Sequence, residues 1–367
     1  MKTNAGRLPE LDGLRGLAAL SVFFSHAIGL IPGYESLAIQ QTPLRLLWDG
    51  ASAVIIFFLL SGFVLTLPYV GATSRPLQPL SFILKRFFRL YPAYWCALLV
   101  ALLLRFWVLE HNHLASLSSW ANSLWSIPLS TGMIARVFAM IAPGVNTHGI
   151  DPVIWSLVIE MKVSILFPAI IFMVRRIRSL YADALILACV ILLGPLHSLL
   201  GFIPVFVAGS YLAKYQQPIR EWLGLQPNWF KALILLAALA IYGAHNFIAA
   251  PTSYVGTLLT AAGSALILLS VLTWSPLNRI AACGPVHFLG AVSYSFYLLH
   301  LPILLATTSC LYPLFHSLLL CVVSALALAL ISSKLIYEVV ELPGVRLGNR
   351  FIEYWKQQSV VSVSPSA

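Results

Sequence analysis

Three ionisable side chains stand where an apolar sequence carries few of them: His26, Glu160 and His300 each interrupt a run long enough to cross a bilayer. An imidazole or a carboxyl in such surroundings can take up, hold or pass a proton, and the cost of desolvating it makes it a functional candidate by default. Arg15 and His26 lie eleven positions apart. That is close to three turns at about 3.6 residues per turn, so both leave one face of a single helix, roughly 16 Å apart along its axis. Each of the three groups also has a plain alternative. The ring at 26 could bond to a neighbouring helix, the carboxyl at 160 could be a neutral acid tying helices together, and the ring at 300 could satisfy a carbonyl freed by Pro302.

A second set of residues is cationic. Arg86 and Arg89 are three apart on one helix face, beside Lys85. Such a pair can fork onto phosphates or anchor a helix at the membrane surface. Ser61-Gly62 interrupts the apolar stretch Phe57-Phe58-Leu59-Leu60, and a glycine there admits either a thin ligand or the backbone of another helix. Taken together, Lys85, Arg86, Arg89 and Arg15 form a cationic mouth that leads past Ser61 and Gly62 to a deep imidazole and carboxylate. Phosphate binding at one end and proton chemistry at the other suit a donor with a phosphorylated head and a long thin arm. Acyl-coenzyme A has that shape, and its thioester would reach His26, acting as general base on an acceptor hydroxyl. No serine or cysteine stands in a recognisable nucleophile setting, so direct transfer is favoured, with an acyl-imidazole on His26 as the other route.

The elements that must position these groups are set by composition. Of 367 residues 60% are hydrophobic and 9% charged, with a mean hydropathy of +0.90. Such a chain lacks the polar surface to cover a water-soluble globule and is expected to be an all-α polytopic membrane protein. Apolar runs fall at about 14–32, 51–70, 91–109, 152–173, 183–200, 231–249, 255–274, 286–306 and 316–338, with a shorter one at 201–213, which makes about ten helices. Basic residues gather in alternate connections, represented by Lys2 and Arg7, Lys85 to Arg89, Arg175 to Arg178, Lys214 to Lys231, Arg279, and Arg346 to Lys356. Both termini are therefore expected in the cytoplasm. With that topology His26 and His300 lie roughly 20 Å above the cytoplasmic ends of their helices and Glu160 roughly 12 Å below the outer end of its own, so the three converge on one level.

The net charge of +10 reads as this topology signal and not as a nucleic-acid surface. The five cysteines stand singly, and His111 and His113 read as solvated interface residues, so neither a disulfide framework nor a metal site is expected. The connection 110–151 carries Trp120, Trp125, Pro128 and Pro143 and is expected to fold as short interfacial or re-entrant helices. Asp151-Pro152 reads as the cap and first turn of the fourth span. The first run is read as a retained span, not a signal peptide, and residues 351–367 as a short, disordered cytoplasmic tail. Oligomeric state leaves no signal.

The residues resemble the acyltransferase 3 family, bacterial integral-membrane acyltransferases that modify surface carbohydrates, over about 9–350. Asp12-Gly13-Leu14-Arg15-Gly16 with His26 is similar to that family's Arg and His signature, in which the histidine is taken as catalytic. Phe57 to Phe63 resembles its second motif, and Arg86-Phe87-Phe88-Arg89 its Arg-x-x-Arg motif, associated with the coenzyme A donor. Trp155 to Glu160, Ser293 to His300 and Glu341-Leu342-Pro343 resemble three later ones. Two departures stand out: Met161-Lys162-Val163-Ser164 replaces the usual aromatics after the glutamate, and no stretch resembles the periplasmic esterase-like domain of some members. The resemblance implies a multi-pass inner-membrane O-acyltransferase, acetyl being the expected group. His26, Glu160 and His300 would be catalytic; Arg15, Ser61, Gly62, Arg86 and Arg89 would bind acetyl-coenzyme A; the acceptor would be a lipid-linked or exported glycan. The bilayer arguments alone also permit a proton-coupled transporter or flippase that uses the same His and Glu residues as a relay.

Overall fold

Backbone amides and carbonyls in hydrocarbon have no water to bond to, so a chain this apolar must satisfy them within helices. The computed structural model describes residues 8–71, 74–111, 117–248 and 253–361, and among them every regular element is helical. In chain order these are α1 (Pro9–Gly29), α2 (Gly50–Thr66), α3 (Pro79–His111), α4 (Ser119–Ser123), α5 (Thr131–Ala139), α6 (Trp155–Arg176), α7 (Leu180–Leu193) and α8 (Ile203–Gly224). There follow α9 (Asn228–Gly243), α10 (His245–Ile248), α11 (Tyr254–Thr273), α12 (Ser275–Ala281), α13 (Gly284–Phe315), α14 (Leu318–Ile336) and α15 (Leu342–Val361). A π-helical turn, Tyr337–Glu341, links the last two. His113 and residues 362–367 lie outside the described residues.

Seven helical stretches among the described residues are long and apolar enough to cross a membrane: Gly50–Tyr69, Pro79–Leu109, Pro152–Arg176, Asn228–Ile248, Tyr254–Thr273, Gly284–Phe315 and Leu318–Gln357. Over the described residues the protein is all-α and multi-pass, with fewer such helices than the ten runs expected. The remaining three runs do fold as helices. However, α1 carries Glu10, Asp12, Arg15 and His26, α8 carries Lys214, Arg220 and Glu221, and Leu180–Leu196 is short.

Two boundaries differ from expectation in ways that matter for the site. Helix α3 begins at Pro79, well ahead of the apolar run at 91–109, and continues through Pro92. Arg86 and Arg89 therefore belong to its body and not to a connection before it. At the other end, α15 runs to Val361, so residues 351–361 are helical and not a disordered tail.

The chain divides into two compact units. The first comprises 1–76, 117–121 and 169–294, the second 77–116, 122–168 and 295–367. In the first, α2 packs on α8 through two glycines: a β-carbon on Gly62 would collide with the Phe206 carbonyl, and one on Gly209 with the Leu59 carbonyl. The bare face of Gly62 is thus filled by the backbone of α8. Of the two readings of this glycine, close helix approach is the one these contacts support.

In the second unit α3 is the spine. Tyr91 and Tyr94 donate their hydroxyls to the carbonyls of Ala139 (2.8 Å) and Val137 (2.7 Å), and Trp95 donates its indole N–H to that of Phe138 (3.0 Å). Farther along, the buried guanidinium of Arg105 donates to the carbonyls of Gly149, Trp125 (3.0 Å) and Ile127 (2.7 Å). Arg105 and Tyr91 are fourteen residues apart, roughly 21 Å at about 1.5 Å per residue, so the part of the connection from Trp125 to Gly149 lies along much of α3. Asp151 closes it as the sequence suggests: its carboxylate accepts from the Val153 amide, and Pro152 opens the turn into α6.

At the start of α2 in the first unit, Asp49 accepts from the Ser52 amide (3.1 Å) and from Asn246 Nδ2 (3.0 Å), and lies 3.2 Å from His245 Nε2. Burial alone would raise its carboxyl, but the hydrogen bonds from His245 and Asn246 outweigh it and hold the group below its usual range. A carboxyl depressed in the folded state contributes stability above its unfolded pKa of about 3.9, and that contribution is lost as the pH falls. Thermal unfolding in detergent should show wild-type stability falling on acidification below about pH 5, with a shallower fall in Asp49→Asn. Equal acid-side slopes would return Asp49 to an ordinary carboxylate.

Candidate active site

In the first unit, α1 carries Arg15 and His26 on one face, as the spacing requires. Arg15 Nη1 lies 3.6 Å from Asp12 Oδ1, one turn back. His26 stacks on Trp120, with ring centroids 5.5 Å apart and planes 3° from parallel, and both imidazole nitrogens are shielded from solvent. The way α1 ends explains how Trp120 gets there. The last carbonyls of a helix have no amide partner within it. Here the Ser118 hydroxyl donates to the Gly29 carbonyl (2.5 Å) and the Ser118 amide to that of Leu30 (3.1 Å). The same hydroxyl accepts from the Ala121 amide (3.1 Å) and so starts α4. A β-carbon on Gly29 would press to 3.1 Å from the Trp120 ring, so this position keeps room for the indole.

An indole face over the imidazole fixes the plane of the ring and would stabilise an imidazolium were the ring to take up a proton. Sequence reasoning placed Trp120 in a connecting loop and missed this role, because no spacing rule ties position 120 to position 26. The usable signal was Ser118, a capping residue directly before a short helical stretch. Ser61, on α2 in the same unit, is buried.

In the second unit the cations and carboxylates meet. Arg86 Nη2 donates to Glu160 Oε1 at 2.5 Å, and Arg86 Nε to the Ser164 hydroxyl at 3.1 Å. Ser164 in turn donates to the Glu160 carbonyl at 2.7 Å. Glu160 therefore sits against Arg86, which differs from its expected separation from the cationic mouth. The cause is the early start of α3: once Arg86 lies inside a helix, a buried guanidinium needs an opposite charge nearby.

Arg89 pairs with Glu341, whose other oxygen accepts from the Ser295 hydroxyl at 2.7 Å. Glu341 closes the π-helical turn and is buried. The sequence marked it only as part of a late motif, with no partner assigned. Turns of this kind recur at functional sites.

His300 on α13 is fully buried, and its Nδ1 lies 2.8 Å from the Tyr297 carbonyl and 3.2 Å from that of Phe296. Only a protonated Nδ1 can donate to carbonyls, so in the neutral ring Nε2 bears the lone pair. The ring does satisfy carbonyls of its own helix, but not that of Leu298, which Pro302 leaves without its amide. Tyr297 ties α13 to the start of α6, donating to the Val153 carbonyl (2.9 Å) while sharing a hydrogen bond with the Ser156 hydroxyl (2.8 Å). Lys162 on α6 is half-buried. Among the described residues no group of three His, Cys, Asp or Glu side chains is arranged to hold a metal ion.

A family profile described as an acyltransferase domain matches residues 8–338. The putative membrane-bound transacylase BcsY of Komagataeibacter xylinus is 26% identical over 364 residues, which cover 94% of this chain and 84% of that protein. The peptidoglycan O-acetyltransferase OatA of Listeria monocytogenes is 25% identical over 387 residues, covering 95% of this chain but 57% of OatA, so the chain spans little more than half of that relative. The exopolysaccharide production protein ExoZ of Rhizobium meliloti is 25% identical over 260 residues, covering 68% and 75%. No solved structure matches the chain. With the profile running from the head of α1 through the end of α14, the chain belongs to the acyltransferase 3 family and is a multi-pass membrane acyltransferase.

Proposed function

We propose that this acyltransferase takes an acyl group, acetyl first of all, from cytoplasmic acyl-coenzyme A and delivers it to a hydroxyl of a lipid-linked or exported glycan. It would do so in the bacterial inner membrane, with about ten helices and both termini in the cytoplasm. The observation that carries the reading is His26 stacked on Trp120 in a chain of this family. The names of the relatives, one a peptidoglycan O-acetyltransferase and one an exopolysaccharide production protein, favour a glycan acceptor.

In the proposed step the acceptor oxygen attacks the thioester carbonyl carbon, a C–O bond forms and the C–S bond breaks. His26 takes the hydroxyl proton and returns it to the departing thiolate, so the products are an O-acyl ester and free coenzyme A. The helix face with Arg86 and Arg89 would receive the donor phosphates, since charge-assisted bonds to phosphate are what a guanidinium makes best. Arg15 and Ser61 remain donor-side candidates, while Gly62 is left to helix packing. Glu160 acts as the ion-pair partner of Arg86, and no proton is routed through it.

The test is purified protein in nanodiscs, given acetyl-coenzyme A and a lipid-linked glycan. Thiol release matched by acetyl on the glycan is expected. Solute flux without thiol release would overturn the reading in favour of a transporter.

Two variants probe the chemistry. In single-turnover transfer, His26→Ala should retain the fold and lose a factor on the order of 10² to 10⁴, the share of a general base. Near-normal turnover would remove His26 and leave His300 to be examined. Trp120→Ala should slow transfer by roughly two- to tenfold, the equivalent of a lost ring pair, with Trp120→Phe recovering much of it. Topology has its own check: a cytoplasm-active reporter should work after Arg178 and after Arg350, and a periplasm-active reporter working at either position would sink the orientation.

A further inference from the structure

Helix α15 has three faces. At about 100° per residue, Gly344, Gly348 and Ile352 fall within one arc of about 80°. This is the face that packs on α3: a β-carbon on Gly344 would press on Pro92 (3.0 Å) and the Phe88 carbonyl (3.1 Å), one on Gly348 would collide with the Phe88 side chain, and Ile352 is buried. Leu347, Phe351 and Tyr354 fall within a second arc of about 60°, with Trp355 between it and the first. These four are 59%, 46%, 63% and 41% exposed, although Phe351 also meets the Phe88 ring. The rest of the circumference carries Arg346, Asn349, Arg350, Glu353 and Lys356, all exposed.

The place of this helix follows from α14. Its 19 residues span roughly 28 Å at about 1.5 Å each, close to the thickness of a hydrocarbon core of about 30 Å. Where it ends, Lys334 Nζ lies 2.5 Å from Glu338 Oε1, and both side chains are about half exposed. A charged pair that open does not stand among acyl tails, so the edge of the hydrocarbon lies at this turn. Helix α15 starts four residues after Glu338. Running on through the tails would drown its polar face, and leaving for water would strand an apolar stripe of Leu, Phe, Tyr and Trp. Both faces are satisfied when the helix lies in the plane of the membrane surface, where tyrosine and tryptophan are at home.

Charge decides which lipid suits it. Along α15 three cations stand against one acid, Glu353. Arg346 and Arg350 are one turn apart, and like charges at that spacing repel unless an anion lies between them. Arg350 also borders the apolar stripe, at the depth where lipid phosphates sit. We propose that α15 is an interfacial helix that binds anionic phospholipid: Leu347, Phe351 and Tyr354 enter the leaflet, and Arg346, Arg350 and Lys356 hold headgroup phosphates. The lipid then presses α15 onto α3 from the side opposite Gly344 and Gly348.

The test is hydrogen exchange, read by mass spectrometry, on the full-length protein in nanodiscs holding one copy each. The discs are made of phosphatidylcholine alone or with about one-third phosphatidylglycerol. A nanodisc presents the same lipid on both faces, so the result is independent of the proposed orientation, which the reporter after Arg350 tests separately. Amides of 346–361 should exchange about 5- to 50-fold more slowly with phosphatidylglycerol, since one basic residue near an anionic surface is worth roughly fivefold. The variant R346Q/R350Q/K356Q should lose most of that difference, and Arg350→Gln alone should lose part of it, which serves if the triple variant does not fold. Leu347→Gln should speed exchange of the same amides in both lipids. Equal exchange in the two lipids for the wild type overturns the proposal. So does a lipid difference that survives in the charge variants, and so does protection that appears only with two copies per disc, which would make a second copy the partner of the stripe.

Discussion

A charge inside an apolar chain has to be neutralised by something the chain itself supplies, and in this protein that constraint sets which helices lie side by side. Removing one partner of a buried pair costs about 3–5 kcal/mol, because the other charge is left unmatched. Arg86 with Glu160 fixes α3 against α6, and Arg89 with Glu341 fixes α3 against the turn before α15. In the other unit Lys214 with Asp183 ties α8 to α7, with the Tyr215 hydroxyl donating to the same carboxylate oxygen at 2.6 Å. Arg105 shows a second solution, in which carbonyl dipoles of Trp125, Ile127 and Gly149 surround the cation. That arrangement suits a connection of irregular backbone, whose buried carbonyls need donors that water would otherwise provide.

Much of the helical plan was legible, because apolar runs and basic connections are local properties. The ten runs all correspond to helices, and Asp151-Pro152 marks the start of α6 in the expected way. The start of α3 was blurred by the very residues that matter there: Lys85, Arg86 and Arg89 lower the hydropathy of its first turns, so the apolar run begins only at position 91 although the arginine spacing already fits one helix face. Glu160 is 74 positions from Arg86 and Glu341 is 252 from Arg89, and no periodicity connects such pairs. Gly62 shows the converse. A glycine in an apolar helix is compatible with a ligand or with another backbone, and only the position of Phe206 distinguishes them.

The surroundings of His26 grow out of the same rule applied to the backbone. Helix α1 leaves carbonyls at its end, Ser118 satisfies two of them, and the next two residues carry Trp120 over the imidazole. The interactions that terminate the helix are thus the ones that build the site. A general base, the role proposed for His26, must hold its ring in one plane and tolerate becoming a cation for part of the cycle, and a stacked indole serves both needs. A carboxylate in that position would raise the basicity of the imidazole and favour its protonated form before substrate arrives. An aromatic partner carries no full charge to favour the protonated form, yet it lowers the energy of that form once made, which is the differential stabilisation the proposed transfer would require.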